Sequence, residues 1–218
     1  MKAETQSQAH EPVRLLPKKL IIFTLNSLNR FVAFFVNLKI KPNLLTIFAL
    51  LAGLGAGLLF AFEQPFLAGI AIIICGFFDI IDGKVAVNTN QKSLFGAIFD
   101  STLDRYSEFF IYLGLAFYFR HHWALWITFW TFLGSTMVSY TRARAEGLGI
   151  ECRIGIMQRA ERMVLLSGGA FVGSLFKALN PVMIVVLTAV AVFSNITAIQ
   201  RTFHVRKTEK EKHSGKEA

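Results

Sequence analysis

The sequence predicts an all-α integral membrane protein, a bundle of six transmembrane helices preceded by an amphipathic helix on the cytoplasmic surface. Three observations support this prediction. The 218 residues are 54% hydrophobic and include 22 Phe, which is too apolar for an ordinary soluble domain of this length. The apolar residues fall into six segments. Lys and Arg are concentrated in alternate connections between these segments, as the positive-inside rule describes for membrane proteins.

The first two elements lie before the membrane domain. Residues 1–17 are predicted to be a flexible polar N-terminus that lacks the pattern of a signal peptide, so we expect it to remain attached. Residues 18–41 are apolar but carry Asn26, Ser27, Asn29 and Arg30 in their middle. This pattern favours an interfacial amphipathic helix over a seventh span. A seventh span would also reverse the charge bias of the connections.

Residues 42–203 are predicted to form one membrane domain, followed by a basic polar tail at 204–218. Several of its apolar segments are shorter than the roughly 20 residues that a span requires, so their polar ends must extend the helices into the connections. The six predicted spans are 44–62, 66–81, 94–119, 123–140, 163–176 and 181–199.

The charged connections predict the orientation of the bundle. Twenty of the Lys and Arg residues lie on one side: in the N-terminal region, the second-to-third and fourth-to-fifth connections and the C-terminal tail. The opposite connections hold only Arg120 and Lys177. The positive-inside rule therefore places both termini, and the mouth of any site at the second-to-third connection, in the cytoplasm. The net charge of +9 also suits anionic lipid headgroups. A nucleic-acid partner is not expected, because the basic residues flank membrane spans.

Four carboxylates, Asp79, Asp82, Asp100 and Asp104, lie in an otherwise apolar part of the chain. An ionisable group at bilayer depth costs a few kcal/mol at least, so it normally faces a cavity, a partner or a metal. Asp79 and Asp82 are three residues apart, whereas Asp100 and Asp104 are four apart, so each pair lies on one face of its helix. If the two helices are neighbours, the acidic faces converge. Clustered carboxylates favour Mg²⁺ or Mn²⁺, and nothing in the pattern favours zinc.

The spacing of these residues resembles the motif D-x-x-D-G-x-x-A-R-x(8)-G-x-x-x-D-x-x-x-D of the CDP-alcohol phosphotransferases. The matching residues are Asp79, Asp82, Gly83, Ala86, Gly96, Asp100 and Asp104. Val87 stands where the motif has Arg. An Arg beside a diphosphate contributes charge and hydrogen bonds, so either Lys84 or Lys92 compensates for its loss or the activity is reduced.

The resemblance implies that an alcohol hydroxyl attacks the β-phosphorus of CDP-diacylglycerol and that CMP leaves. The four Asp would hold two divalent ions, Mg²⁺ or Mn²⁺, with Asp104 as the general base. The family also suggests a homodimer. The expected nucleotide-binding residues are Asn43, Thr46, Asp79, Asp82, Gly83 and Ala86. Asn43 and Thr46 belong to P-N-L-L-T, which is similar to the entry of the first span in this family, although Asn43 also fits the N-cap of that span.

Five arginines occur between residues 139 and 162, on the side where the acidic site opens. They are Arg142, Arg144, Arg153, Arg159 and Arg162. The positive-inside rule is satisfied equally by Lys, whereas guanidinium groups bind phosphate in bidentate fashion. The pattern therefore favours a phosphorylated acceptor over choline or ethanolamine. The segments S-Y-T-R-A-R-A-E-G and Q-R-A-E-R resemble prokaryotic phosphatidylinositol phosphate synthases. This implies an inositol 1-phosphate acceptor, with the glycerol 3-phosphate of phosphatidylglycerophosphate synthases as the alternative.

Two functions of another class stay open at this point. A divalent-cation transporter should carry polar residues through several spans, but the fourth to sixth spans are nearly free of acids. A non-catalytic family member is suggested only by Val87. We also expect an ion pair between Arg105 and Glu108, and internal helix packing at the small residues of the two G-x-x-x-G spacings.

Overall fold

A computed structural model describes residues 18–214, with side chains from 28 to 211, and every element in this part of the chain is a helix. The predicted N-terminus at 1–17 lies outside the described residues. The helices are α1 (Lys18–Asn37), α2 (Pro42–Ala61), α3 (Pro65–Asn88), α4 (Leu94–Tyr118), α5 (Ala124–Gly147), α6 (Arg159–Leu175) and α7 (Leu179–Ser214).

The all-α prediction is confirmed, and each predicted span corresponds to one of the helices α2 to α7. The polar extensions are present: α3 continues to Asn88, α5 to Gly147 and α7 to Ser214. The expected polar tail is therefore helical over most of its length. Within the described chain, α2, α3 and α7 are long and apolar enough to cross a membrane. Helices α4 and α6 carry the buried charges Glu108 and Arg162, and α5 ends in a charged segment that includes Arg144 and Glu146.

The six helices α2 to α7 form a closed ring of contacts. Helix α2 lies between α3 and α4; α4 packs on α5, α5 on α7, α7 on α6, and α6 returns to α3. The centre of the ring is a hydrophobic core that includes Phe60, Ile72, Leu115, Leu166 and Met183, all of them buried. Such a core is what fixes the rotation of each helix about its axis. The functional side chains project from this frame.

Glycines set the closest crossing in the ring, between α2 and α4. A Cβ atom built on Gly114 would lie 2.0 Å from the carbonyl oxygen of Gly57, and one on Gly53 would lie 2.6 Å from the Cβ of Ser107. In α6, Gly169 and Gly173 likewise contact residues of α7. The prediction that the two G-x-x-x-G spacings serve internal packing is confirmed, because any side chain at these positions would push the helices apart.

Helix α1 lies outside the ring and packs on the C-terminal half of α3. Its buried residues Leu28 and Val32 form a small core with Leu45, Ile81 and Val85. Helix α1 therefore covers the end of α3 where Asp79 and Asp82 lie.

Two helix starts bring the functional segments together. Pro42 is the first residue of α2 and Lys41 occupies the cap without a side-chain hydrogen bond, so the predicted N-cap at Asn43 is wrong. Proline is favoured at a first helical position because its φ is preset and its missing N–H is not needed there. Ser93 caps α4 by accepting a hydrogen bond of 2.9 Å from the Gly96 amide. Only residues 89–93 separate α3 from α4, so the end of α3 lies near the start of α4.

Candidate functional site

Three carboxylates meet where α3 faces α4. Asp79, Asp100 and Asp104 each offer an oxygen, and these oxygens lie within 4.8 Å of one another. All three residues are partly buried, and Asp100 Oδ1 is buried without a hydrogen-bond partner. Three carboxylates this close repel one another unless a cation or a proton lies between them. Their oxygen ligands, and the unsatisfied oxygen of Asp100, fit a hard divalent cation.

The fourth carboxylate, Asp82, lies beside this cluster and faces α2. It is 3% exposed, and its Oδ2 accepts a hydrogen bond of 2.6 Å from the Thr46 hydroxyl. The short charge-assisted bond orients the carboxylate. The structure therefore brings three of the predicted metal ligands together and holds the fourth through a contact between α2 and α3.

Arg159, at the start of α6, covers the three-carboxylate cluster. Its Nη2 lies 3.0 Å from Asp104 Oδ1 and its Nε 3.6 Å from Asp79 Oδ2. Its Nη1 also donates to the Asp104 carbonyl at 2.7 Å, and Nη2 donates to the Ser107 hydroxyl at 3.1 Å. Arg105 lies 3.8 Å from Asp104 as well, and two guanidinium groups do not neutralise three carboxylates, so the cluster retains negative charge for a metal ion.

Beneath the cluster, Glu108 accepts hydrogen bonds from Arg162 Nε at 2.7 Å and Nη2 at 3.1 Å. Both side chains are almost completely buried. The predicted pair between Arg105 and Glu108 is wrong: Arg105 donates to the Ser101 carbonyl and lies 3.8 Å from Asp104. A buried carboxylate needs a well-aligned partner, and the bidentate guanidinium from α6 satisfies Glu108 better than a neighbour on the same helix.

A cavity of about 260 Å³ adjoins the cluster between α2, α3 and α4. Five of the six predicted nucleotide-binding residues line it, whereas Asp79 lies in the three-carboxylate cluster. The lining residues are Pro42, Asn43, Thr46, Asp82, Gly83, Ala86, Gln91, Lys92, Ser93, Gly96, Ala97 and Asp100. A Cβ atom built on Gly83 would meet no atom within 4 Å, so this wall is open to a bound group. Asp100 belongs to both the cavity and the cluster and joins them into one site.

The cavity also includes residues that the sequence analysis did not assign to it. Gln91 and Ser93 line its wall from the turn between α3 and α4. Their place in the sequence could have predicted this, because they lie between the two halves of the acidic motif. A short turn that joins two helices of the site must lie next to the site.

The five predicted phosphate-binding arginines do not form one cluster. Arg159 alone of them has an ion pair with the acidic cluster, whereas Arg142 pairs with Glu146 and Arg153 pairs with Glu151. Arg144 is exposed. Arg162 is 1% exposed and points into the bundle towards Glu108. The Arg162 position therefore does not support a role in binding an acceptor, because its side chain is enclosed by protein.

Helix α7 holds the connection between α5 and α6 in place. The Thr197 hydroxyl accepts hydrogen bonds from the amides of Ile156 at 3.2 Å and Met157 at 3.1 Å. Gly155 has φ of 119°, and a Cβ there would lie 2.2 Å from Thr197 Cγ2. These contacts fix the backbone immediately before α6 and thus the position of Arg159.

Arg201, one turn after Thr197, adds a second attachment. It is 3% exposed; its Nε donates to the Ile154 carbonyl at 2.9 Å, and its Nη1 donates to the Val138 carbonyl of α5. In the sequence, Arg201 is one of the basic residues that predict the orientation of the bundle. Its burial could not be inferred from its place at the polar end of an apolar segment.

Comparison with known proteins adds a family and several relatives. The family model described as CDP-alcohol phosphatidyltransferase matches residues 39–197. The archaetidylinositol phosphate synthase of Pyrococcus horikoshii is 40% identical over 172 residues, covering 78% of this chain and 86% of that protein.

Two solved structures of the Mycobacterium tuberculosis phosphatidylinositol phosphate synthase are also similar to the chain, each at 28% sequence identity. The one with CDP-DAG bound has a TM-score of 0.74 and covers 82% of this chain and 92% of that chain. The one in complex with manganese and citrate has a TM-score of 0.75, with 82% and 88% covered.

Proposed function

The chain belongs to the CDP-alcohol phosphatidyltransferase family, and we propose that it transfers the phosphatidyl group of CDP-diacylglycerol to inositol 1-phosphate and releases CMP. The observation that carries this proposal is the acidic cluster joined through Asp100 to a cavity lined by Asn43, Thr46, Asp82 and Gly83. A diphosphate lying across this junction has its nucleoside end in the cavity and its reacting phosphorus beside the carboxylates.

The relatives support both substrates. The relatives from Pyrococcus horikoshii and Mycobacterium tuberculosis are named for the synthesis of inositol phosphate lipids. Their names favour inositol 1-phosphate over glycerol 3-phosphate as the acceptor. One of the solved relatives holds CDP-DAG. Membership of this family also makes a transferase the better explanation of the buried carboxylates than a cation transporter.

The proposed metal ligands are Asp79, Asp82, Asp100 and Asp104. These carboxylates would hold two divalent ions, either Mg²⁺ or Mn²⁺, and such ions would supply the positive charge that neutralises the diphosphate and the leaving phosphate. The manganese in one solved relative and the unsatisfied oxygen of Asp100 support a metal at this position. The Thr46 hydroxyl orients Asp82 for the same purpose.

The transfer itself needs one proton acceptor. The inositol hydroxyl attacks the β-phosphorus, a new P–O bond forms, the P–O bond to CMP breaks, and the hydroxyl proton moves to a carboxylate oxygen of Asp104. Arg159 holds that carboxylate at 3.0 Å and fixes its direction. Asp104 belongs to the three-carboxylate cluster but, unlike Asp100, does not line the nucleotide cavity, so its carboxylate is proposed to face the acceptor.

We further propose that the acceptor phosphate is bound by Arg159 with Arg142, Arg144 and Arg153. Guanidinium groups suit a phosphate dianion. The ion pairs of Arg142 and Arg153 are solvent-exposed, and such pairs contribute little free energy, so these side chains can exchange their partners for a phosphate at small cost. Arg162 is left out of this set because it is committed to Glu108.

In the membrane, the proposed arrangement is six spans formed by α2 to α7, with α1 as a cytoplasmic interfacial helix. Both termini and the mouth of the site then face the cytoplasm, as the distribution of Lys and Arg favours. Phospholipid tails reach the site from the side of the bundle. The functional unit is proposed to be a homodimer, on the basis of the family resemblance.

The test is CMP release by the purified protein in detergent, with CDP-diacylglycerol and Mg²⁺ or Mn²⁺. Inositol 1-phosphate and glycerol 3-phosphate are supplied separately, beside an Asp104→Asn control. We expect release with inositol 1-phosphate and a loss of at least about 100-fold in the control, as for removal of a general base. Release with glycerol 3-phosphate alone would identify the other acceptor. A folded protein that releases CMP with neither acceptor would contradict the proposed transfer and favour a non-catalytic family member.

A further inference from the structure

The turn that joins α3 to α4 forms one wall of the nucleotide cavity. Asn90 adopts φ of 54°, which reverses the chain, and Ser93 ends the turn by accepting the amide hydrogen of Gly96. Lys92 lies between these two fixed points and lines the cavity. The turn therefore holds a Lys residue at the site through its own backbone geometry.

The charges around the cavity show why a positive side chain at position 92 matters for binding an anion. Asp82 and Asp100 line the same space, so the wall carries negative charge. Among the described residues that line the cavity, Lys92 has the only positively charged side chain. A nucleoside diphosphate is itself strongly negative, and it needs cationic groups on the side of the cavity that faces away from the metal ligands.

The end of α3 does not supply such a group. Val87 stands at the Arg position of the family motif, is 50% exposed and is not among the described residues that line the cavity. Lys84, the other candidate, donates from Nζ to Asn29 Oδ1 of α1 at 3.1 Å. Because α1 packs on a different side of α3 from the cavity, this contact directs Lys84 away from the nucleotide.

We infer that Lys92 binds the diphosphate of the CDP-linked substrate and supplies, from the turn, the positive charge that the family motif has at the position of Val87. The inference rests on the proposed function for the nucleotide donor but not for the acceptor. The position of Lys92 is set by the backbone of the turn, which ends where Ser93 caps α4. An Arg at position 87 would instead be positioned by α3. Val87 is then compatible with an active enzyme.

Direct binding of CDP to the purified protein, measured by calorimetry in the presence of Mn²⁺, tests the inference. We expect Lys92→Ala to weaken CDP about tenfold and Lys92→Arg to keep most of the affinity, as for loss or retention of a charge-assisted hydrogen bond. Lys84→Ala is the matched control, and its affinity should stay within about twofold of the unmodified protein because its side chain faces α1. The loss in Lys92→Ala should shrink as the salt concentration rises.

Several results would overturn the inference: unchanged CDP affinity in Lys92→Ala, an equal loss in Lys84→Ala, or absence of CDP binding by the unmodified protein. In the enzymatic assay the KM for CDP-diacylglycerol should rise in Lys92→Ala while the KM for the acceptor stays constant. An unmodified protein that binds CDP but releases no CMP with inositol 1-phosphate would contradict the proposed acceptor and leave the calorimetric test of Lys92 valid.

Discussion

Glu108 and Arg162 form a buried ion pair that supports the site from below. Their ion pair lies one helical turn below Asp104 and Arg159, in the interior of the bundle. A buried pair of this kind contributes little net free energy compared with apolar residues, but removing one partner leaves an uncompensated charge in the protein interior. The pair therefore fixes α4 against α6, and with them the acidic cluster against Arg159.

We predict that Arg162→Met destabilises the protein by about 3–5 kcal/mol because Glu108 is left buried and unpaired. Thermal unfolding in detergent, followed by tryptophan fluorescence, measures the effect. The control is Arg142→Met, whose pair with Glu146 is exposed and should contribute about 0–1 kcal/mol. Equal stability of the two variants, with a raised KM for the acceptor in Arg162→Met, would instead indicate that Arg162 binds the acceptor.

At the residue scale, the sequence was informative about types and spacing but not about partners. The four Asp and the residues Asn43, Thr46, Gly83 and Ala86 were recognised from a linear pattern, and the structure places them around one cavity and its adjoining cluster. The predicted partner of Glu108, Arg105, was wrong, and Arg162 takes its place. In the sequence, an Arg three residues away competes with every Arg that the fold can bring near. Local spacing cannot rank these alternatives.

At the scale of elements, the connection of residues 148–158 depends on α7. Its backbone amides at Ile156 and Met157 have the Thr197 hydroxyl as acceptor, although Thr197 lies some 40 residues later in the chain. A loop that leads directly into Arg159 must be held in one conformation if that side chain is to cover the acidic cluster. Helix α7 thus acts on the site through the connection and not by direct contact.

We predict that Thr197→Val destabilises the loop by about 1–3 kcal/mol for each backbone amide left unpaired. The KM for the acceptor should rise, the KM for CDP-diacylglycerol should stay constant, and limited proteolysis within 148–158 should accelerate. Thr197→Ser should restore all three properties because it keeps the hydroxyl. The control is Thr188→Val, because the Thr188 hydroxyl is exposed and donates to the Ile184 carbonyl of its own helix. Proteolysis of Thr197→Val at the rate of this control would contradict the prediction.

The helices themselves were largely predictable, because apolar runs report directly on burial in a core or in lipid. Their ends were not: α3, α5 and α7 extend well beyond the apolar segments. In the α3 extension, Asp82 is held by the Thr46 hydroxyl of α2, whereas most residues in the α7 extension are exposed. Hydropathy alone places a boundary where the side chains turn polar, whereas the backbone continues as long as its hydrogen bonds are satisfied.

At the scale of the whole molecule, the ring of α2 to α7 places the connections at two ends. The turn at 89–93, the loop at 148–158 and the end of α7 belong to the end that holds the site. The Trp residues at positions 123, 126 and 130 are highly exposed near the other end, as expected of side chains at a membrane–water interface. The aromatic residues thus fit a membrane–water interface at the end opposite the site, and the charge distribution favours a cytoplasmic position for the site end.

Cysteine labelling in intact bacterial cells tests this orientation, with Cys75 and Cys152 replaced by Ser. A Cys introduced by Lys177→Cys should react with a membrane-impermeant maleimide in intact cells, whereas one introduced by Lys207→Cys should react only after lysis. The reason is that the proposed spans place these positions on opposite sides of the bilayer. Labelling of both in intact cells, or of Lys207→Cys alone, would contradict the proposed topology.

The sequence by itself determined the helical class, the concentration of carboxylates and the family. These features depend on composition and on spacings within one helix, where residues three or four apart share a face in any fold. Only the tertiary structure decided that Asp82 turns to Thr46, that Glu108 takes Arg162, that the five arginines separate, and that Lys92 rather than Lys84 faces the cavity. Each of these outcomes depends on how a helix is rotated against a neighbour from a distant part of the chain. That rotation is set by the packing of the common core, which no local pattern records.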